Sequence, residues 1–206
     1  MPKINTIIFD LGGVLIDWNP KYLYRKVFNG DNDKVNWFLD NICTMEWNVK
    51  QDAGRQLTKG TELLIEKYPQ YERWIKMYYG RWAEMLGGPI KAAVNLFNEL
   101  NSNNNLKLYA LTNWSAETFP IALERYDFLH NFDGIVVSGE EKMRKPFPEI
   151  YQLILERYKL SPQHSIFIDD NKENVDAAER FGINGIHFTS PTQLKAVLQE
   201  YGLITK

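Results

Sequence analysis

The sequence lacks several features that would assign it to a common class of protein. It has one cysteine in 206 residues, Cys43, which excludes an internal disulfide and is typical of a reducing compartment. No stretch approaches the ~20 apolar residues that a membrane helix needs, and the first ten residues lack the apolar region of a signal peptide. Its three histidines, His130, His164 and His187, do not have the spacing of zinc ligands. We therefore predict a cytoplasmic protein with no membrane partner.

The charge balance excludes another class of protein. There are 24 lysines and arginines against 26 aspartates and glutamates, which gives a net charge of −2. Without a broad basic field, we predict no nucleic-acid partner. What the chain does have is a 44% share of hydrophobic residues, enough for the core of one domain or of a domain with an inserted cap. A monomer and a homodimer both remain open.

Apolar runs alternate with helical patterns over most of the chain. Five short runs have the character of buried parallel strands: 4–9, 107–111, 134–137, 165–168 and 183–188. Between them, apolar residues share one helix face in two places: Ile90, Ala93, Val94 and Phe97, then Tyr151, Ile154, Leu155 and Tyr158. This alternation predicts an α/β fold with a Rossmann-like parallel sheet and right-handed crossovers.

The segment 18–86 interrupts this alternation. It is rich in aromatic residues, has no convincing strand, and reads as four or five short helices. The "LGGP" at 86–89 then returns the chain to the alternating pattern. We predict a core domain made of 1–17 and 87–206, with 18–86 inserted as an α-helical cap over the carboxyl edge of the sheet.

Polar residues follow four of the predicted strands at their carboxyl ends. They are Asp10, "TNWS" at 112–115, "RKPFPE" at 144–149 and "DDNKEN" at 169–174. Each alone has an ordinary structural explanation as a turn, a helix cap or a surface charge. Because the strands are parallel, all four groups would meet at one edge of the sheet, and this is the edge at which open parallel sheets bind ligands. Their conjunction predicts an active site.

The same residues carry a family resemblance. The order Asp10, Thr112, Lys145, Asp169-Asp170 resembles the four motifs of the haloacid dehalogenase (HAD) superfamily of hydrolases, and the helical insert resembles the cap of that superfamily. The strings "KPFPEIY" and "FIDDNKENVDAA" are the most specific parts of the likeness. The sequence is most similar to the branch that holds sugar-phosphate phosphatases and the amino-terminal phosphatase domain of epoxide hydrolases.

The resemblance implies a phosphatase that acts on a small phosphorylated metabolite. Asp10 would be the nucleophile, because a carboxylate can split this very slow hydrolysis into two easier steps through an aspartyl-phosphate. A dianionic substrate repels such a nucleophile, so a Mg²⁺ cofactor is expected. Its ligands would be Asp10, the backbone carbonyl of Gly12 and Asp170, with Asp169 orienting or ligating.

The remaining motif residues would bind the phosphoryl group. Lys145 would pair with both the nucleophile and the phosphoryl oxygens. Thr112 and the amide of Asn113 would hold an equatorial oxygen of the phosphoryl group.

Gly12 departs from the pattern of the family. The superfamily's phosphatases usually have an aspartate two residues after the nucleophile, which protonates the leaving group and then activates water. General acid–base help is typically worth ~10²–10⁴ in rate, so Asp10 is expected to work with weaker or borrowed help. Asp17 is a weak candidate for this role. Without a dedicated acid, the rate should depend steeply on the basicity of the leaving group.

Residues of the predicted cap could close over a substrate. The candidates are Trp18, Tyr22, Trp47, Arg55 and Trp82. Aromatic rings with an arginine suit a sugar ring or a second anionic group, but aromatic residues at helical spacing also form the core of a helical bundle. The sequence leaves both explanations open.

Three other functions compete with the phosphatase. A metal-independent 2-haloacid dehalogenase is disfavoured, because that branch lacks the acid pair Asp169-Asp170. A phosphomutase is disfavoured by Gly12, because mutases use the missing acid in both directions. A non-catalytic HAD-fold binding protein is supported by Gly12, but it has no functional reason to keep the other motif residues together.

Overall fold

A five-stranded parallel sheet forms the centre of the computed structural model, which describes residues 3–205. The strands of the described chain are β1 (Thr6–Phe9), β2 (Ile16–Trp18), β3 (Leu86–Pro89), β4 (Lys107–Thr112), β5 (Gly134–Val137), β6 (Ser165–Asp169) and β7 (Asn184–His187). The parallel sheet has the order β5-β4-β1-β6-β7. The predicted α/β fold class with its parallel sheet is confirmed, and the ends of the predicted strands differ by two residues at most.

Strand β1 lies in the middle of the sheet because all four of its residues are apolar or small enough to bury. Its neighbours are β4 and β6, and Phe9 is in register with Ala110 on one side and Ile168 on the other. Successive side chains face opposite sides, so Ile7 and Phe9 join one apolar cluster and Ile8 joins another. Both faces are covered, which explains why the strand is a continuous apolar run.

Helices connect these strands and cover the sheet. Within residues 3–205 they are α1 (Lys21–Val27), α2 (Asn32–Asn41), α3 (Met45–Asp52), α4 (Leu57–Lys67), α5 (Glu72–Gly80), α6 (Lys91–Asn101), α7 (Phe119–Arg125), α8 (Ser138–Glu141), α9 (Pro148–Tyr158), α10 (Lys172–Arg180) and α11 (Pro191–Glu200). The longest have 11 residues. In this described part of the chain, no helix has the length and apolarity to cross a membrane.

Helices α1–α5 pack around aromatic rings. The rings of Tyr24 and Phe38 are 4.8 Å apart between centroids, and those of Trp47 and Tyr78 are 5.0 Å apart. These residues belong to the same apolar cluster as Phe9 of β1, so the helices share a core with one face of the sheet.

Two short strands, β2 and β3, lie at the two ends of residues 18–86, called the helical segment below, and connect it to the sheet. β2 and β3 pair antiparallel, with a register shift between Asp17 and Trp18. Neither strand is predicted from the sequence, because β2 has only three residues and β3 has four, two of them glycines, so neither carries an alternating pattern. The division into a core of 1–17 and 87–206 and a cap of 18–86 stays a prediction.

Candidate active site

Asp10 follows the central strand directly and is nearly buried, with 8% of its surface exposed. Its backbone N–H donates to the carbonyl of Ile168 at 2.8 Å, which extends the pairing of β1 with β6. One carboxylate oxygen, Oδ1, accepts a hydrogen bond from the backbone N–H of Leu11 at 2.7 Å. The same oxygen lies 3.0 Å from Nζ of Lys145. The position of Asp10 is therefore determined by backbone and side-chain contacts together.

Lys145 comes from the loop between α8 and α9 and is fully buried. Its Nζ donates to Oδ2 of Asp169 at 2.6 Å and so stands between two carboxylates. The loop is attached to the end of β4 by Asn113, whose Nδ2 donates to the Lys145 carbonyl at 3.0 Å. In return, the Lys145 backbone N–H donates to Oδ1 of Asn113 at 2.9 Å. The side chain of Asn113 thus positions the lysine.

Asp169 and Asp170 occupy the end of β6. Asp169 is buried and accepts hydrogen bonds from the backbone N–H of Asn171 at 2.8 Å and from Nδ2 of Asn174 at 3.1 Å. Asn171 also caps α10, which places Asn174 one turn into that helix. Carboxylate oxygens of Asp10, Asp169 and the exposed Asp170 lie within 4.8 Å of one another.

Three carboxylates therefore share this edge of the sheet with one buried ammonium group. Burial raises the pKa of Asp10 to about 7, with Lys145 opposing the shift and Asp169 adding to it. Burial alone would lower the pKa of Lys145, but the charges of Asp10 and Asp169 outweigh it and raise that pKa. Burial and the charge of Asp169 also raise the pKa of Asp170. An oxygen-only donor set with a deficit of positive charge fits a hard divalent cation such as Mg²⁺.

Thr112 ends β4, the strand that pairs with β1. Its hydroxyl oxygen is buried and, among the described residues, has no hydrogen-bond partner. An unpaired buried hydroxyl is costly, so it suits a site where a ligand oxygen completes the bonding. All the motif residues predicted for the site, including Asn113 and Gly12, lie at this one edge of the sheet. Their chemical roles stay predictions.

Gly13 is required by the geometry of the turn that follows Asp10. Its φ is +76°, and a Cβ there would collide with the carboxylate of Asp170. The neighbouring Gly12 differs, because a Cβ on it would meet nothing within 4 Å. The two glycines therefore form a matched pair for substitution.

We expect Gly13→Ala to lower the free energy of unfolding by ~1–3 kcal/mol, because it combines left-handed backbone strain with the collision at Asp170. Gly12→Ala is expected to change the same quantity by less than ~0.5 kcal/mol. Urea denaturation of both variants measures the difference. Equal stability of the two variants would contradict the steric argument.

A cavity of about 400 Å³ opens above these residues. Its lining from the sheet side includes Asp10, Gly12, Asn113, Trp114, Asp170 and Asn174. Its lining from the helical segment includes Trp18, Met45, Asn48, Asp52, Tyr79 and Trp82. The volume is typical of a site for a small molecule.

The structure selects among the candidates from 18–86. Trp18 and Trp82 line the cavity. Trp47 is buried in the helical core and donates from Nε1 to the Gly60 carbonyl at 3.0 Å. Arg55 donates from Nε to Gln51 at 2.6 Å. Trp47 and Arg55 are not among the described residues that line the cavity.

Two acidic residues, Asp17 and Asp52, differ in their position relative to the cavity. Asp17, the weak candidate for acid help, accepts a hydrogen bond from Tyr22 at 2.6 Å and is absent from the described lining of the cavity. Asp52, which is not among the residues predicted from the sequence, lines the cavity together with Asn48. The available signal was their spacing: residues four apart on a helix share a face.

The fold and the site define the class of protein. An acid after the central strand, a buried lysine from the crossover between β5 and β6, and an acid pair at the end of β6 together form a polar centre at the carboxyl edge of a parallel α/β sheet. Residues 4–182 match the haloacid dehalogenase-like hydrolase family. The chain belongs to this family, as the motif order predicted.

Individual relatives agree with this assignment. The chain is 30% identical to the sesquiterpene phosphatase astK of Aspergillus oryzae over 88% of each chain. It is 26% identical to a phosphorylated carbohydrates phosphatase of Thermotoga maritima, with 89% of this chain and 84% of that protein covered. Its fold is similar to that of a HAD family enzyme from Bacteroides thetaiotaomicron solved in complex with magnesium and inorganic phosphate. That likeness has a TM-score of 0.66 at 23% identity and covers 89% of this chain and 93% of that one.

Proposed function

We propose that the protein is a magnesium-dependent phosphatase that hydrolyses a small phosphorylated metabolite through an aspartyl-phosphate at Asp10. The observation that carries the proposal is the convergence of Asp10, Lys145, Asp169 and Asp170 beneath one cavity. The phosphatases among the relatives support the same reaction. The acid pair argues against the metal-independent dehalogenase, whose halide-releasing reaction has no dianion to neutralise.

Each residue has a distinct task in the proposed reaction. Asp10 attacks the phosphorus atom, and Lys145, 3.0 Å from its Oδ1, compensates the charge of the nucleophile and of the phosphoryl oxygens. Thr112 donates its free hydroxyl to one of those oxygens, together with the amide of Asn113. Asp10, the carbonyl of Gly12 and Asp170, with Asp169 beside them, would hold Mg²⁺, which supplies the positive charge that the carboxylates lack.

The cavity lining favours a substrate whose organic part is uncharged. Among the described residues that line it there is no lysine, arginine or histidine to bind a second anionic group. Instead, Trp18, Trp82 and Trp114 provide aromatic surface, and the buried indole nitrogens of Trp18 and Trp114 lack a partner in the described chain. Such walls suit a terpenyl chain or the apolar face of a sugar.

The helical segment completes this cavity. Met45, Asn48 and Asp52 of α3 line it opposite the acidic edge of the sheet. We therefore retain the proposed division into a core of 1–17 and 87–206 and a cap of 18–86, with the antiparallel pair β2–β3 as the connection between them.

Phosphate release from a substrate panel tests the proposed function. The panel contains a terpenyl monophosphate, a hexose phosphate, nitrophenyl phosphate and phosphoglycolate, each with magnesium and with a chelator. We expect release that needs magnesium, with phosphoglycolate the poorest substrate because its carboxylate finds no cation in the cavity. Halide release from 2-haloacids without metal would identify a dehalogenase instead. Absence of both reactions would favour a binding protein.

A further inference from the structure

The proposed chemistry needs a proton donor that Gly12 cannot supply. Among residues 3–205, the titratable side chains that line the cavity are Asp10, Asp52, Tyr79 and Asp170. Asp10 is the proposed nucleophile, and Asp170 forms the acidic cluster with Asp10 and Asp169. Tyr79 donates its hydroxyl hydrogen to Asn48 at 3.0 Å. Asp52 is the group that remains.

Asp52 is held at the boundary between the helical segment and the sheet. It is the last residue of α3, and its backbone carbonyl accepts a hydrogen bond from Ser138 Oγ at 2.5 Å. Ser138 follows β5 and also accepts a hydrogen bond from the backbone N–H of Trp114 at 2.9 Å. The end of α3 is thereby attached to the edge of the sheet that carries Asp10.

A chain of hydrogen bonds orients the carboxyl group of Asp52. Gln51 Nε2 donates to the Tyr79 hydroxyl at 2.8 Å, and that hydroxyl donates to Asn48 Oδ1 at 3.0 Å. Because Asn48 accepts through Oδ1, its Nδ2 faces Asp52 and donates to Oδ2 at 2.9 Å. Oδ2 is therefore an acceptor, which leaves Oδ1 as the oxygen that would carry an acidic proton. Arg55 completes the chain by donating to Gln51 at 2.6 Å.

The surroundings of Asp52 keep that proton in place at neutral pH. Burial raises the pKa of Asp52 to about 8, and the charge of Asp10 adds to the shift. The guanidinium of Arg144 and the backbone N–H of Ser115 oppose it without cancelling it. A carboxylic acid with a pKa near the working pH is suited to donate a proton and then to accept one.

We propose that Asp52 is the general acid–base of this enzyme, acting from the helical segment in place of an acid at position 12. The inference rests on the proposed function. In the first step Asp10 bonds to phosphorus, the bond from phosphorus to the leaving oxygen breaks, and that oxygen takes the proton of Asp52. In the second step water attacks phosphorus, the Asp52 carboxylate takes its proton, and the bond to Asp10 breaks.

Asp52→Asn is the first variant that tests the proposal, with turnover measured against a series of leaving groups. Alkyl phosphates, whose leaving groups need a proton, are expected to slow by ~10²–10⁴. Nitrophenyl phosphate is expected to change little in the phosphoryl-transfer step, followed as the burst of nitrophenol. The wild type is expected to show a shallow dependence on leaving-group basicity and Asp52→Asn a steep one. Asp17→Asn serves as the matched control and is expected to keep the shallow dependence.

Moving the acid back to position 12 provides an independent test. A Cβ at Gly12 meets nothing within 4 Å, and Gly12 lines the cavity, so the first carbon of an aspartate side chain fits at the edge of an open space. In the Asp52→Asn background, Gly12→Asp is expected to restore alkyl-phosphate turnover, and Gly12→Ala is not. In the wild type, Gly12→Asp is expected to give no comparable gain.

Some outcomes would overturn the proposal. A steep leaving-group dependence in the wild type would show that the wild-type enzyme has no general acid, and so would a gain of ~10²-fold from Gly12→Asp alone. Neither of these two measurements requires Asp52→Asn to fold. An equal loss in the rate of the phosphoryl-transfer step on alkyl and aryl substrates in Asp52→Asn would assign Asp52 a structural role. Absence of phosphate release from the wild type on any substrate would instead reject the proposed function itself.

Discussion

Asp10→Asn is expected to abolish phosphate release, with a loss on the order of 10⁴–10⁶-fold as for other catalytic nucleophiles. An amide cannot attack phosphorus as a carboxylate does, so no aspartyl-phosphate forms. The fold should survive, because the amide oxygen can still accept from Leu11 and because Lys145 keeps its contact of 2.6 Å with Asp169. Asp10→Asn is the substitution with the largest expected effect on the rate of phosphate release.

The measurement combines turnover with detection of the intermediate. Acid-quenched wild-type protein is expected to carry a phosphoryl group on the peptide that contains Asp10, and the variant is expected to carry none. Asp33→Asn is the control, because Asp33 is an exposed acid of α2 outside the cavity lining. Equal phosphate release from wild type and Asp10→Asn would show that the activity belongs to a contaminant.

Lys145→Met is expected to have the largest effect on stability. Lys145 is fully buried, 3.0 Å from Asp10 and 2.6 Å from Asp169. Its removal leaves two carboxylates without their cation in a buried site, which typically costs ~3–5 kcal/mol of unfolding free energy. Turnover should fall as well, by ~10²–10³-fold, because the positive charge that would stabilise the phosphoryl oxygens is lost.

Urea denaturation with and without magnesium separates these effects. Magnesium is expected to recover part of the stability lost in Lys145→Met, because it binds the folded carboxylate cluster. The control is Lys107→Met, whose lysine forms an exposed pair with Asp133 at 2.7 Å and is expected to matter little because solvent screens that pair. A Lys145→Met protein as stable as wild type would mean that the buried acids do not depend on the lysine.

The sheet and the motif residues could be predicted because their signals are local. A short apolar run such as the one before Asp10 predicts a buried strand by itself, and the topology of a parallel sheet then brings the ends of such strands together. No tertiary information is needed to place Asp10, Thr112 and Asp169 at one edge. The family and the fold class followed from these residues.

Asp52 could not be predicted in the same way. Its place in the lining of the same cavity as Asp10 depends on how α3 packs over the sheet and on the Ser138 contact, which joins residues far apart in sequence. Similarly, β2 and β3 are too short and too rich in glycine to show a periodic pattern. Where a long-range contact determines position, a single sequence carries the residue but not its location.

The central place of β1 has a consequence for the order in which the protein is made. This strand is synthesised before both of its partners, β4 and β6. Roughly a hundred residues separate β1 from β4, which at ~5–20 residues per second takes ~5–20 s of synthesis. During this interval the helices of the segment 18–86 emerge and can begin to collapse, while β1, which directly precedes Asp10, has no partner strand to pair with. Asp10 is thus synthesised well before the segments that complete its surroundings.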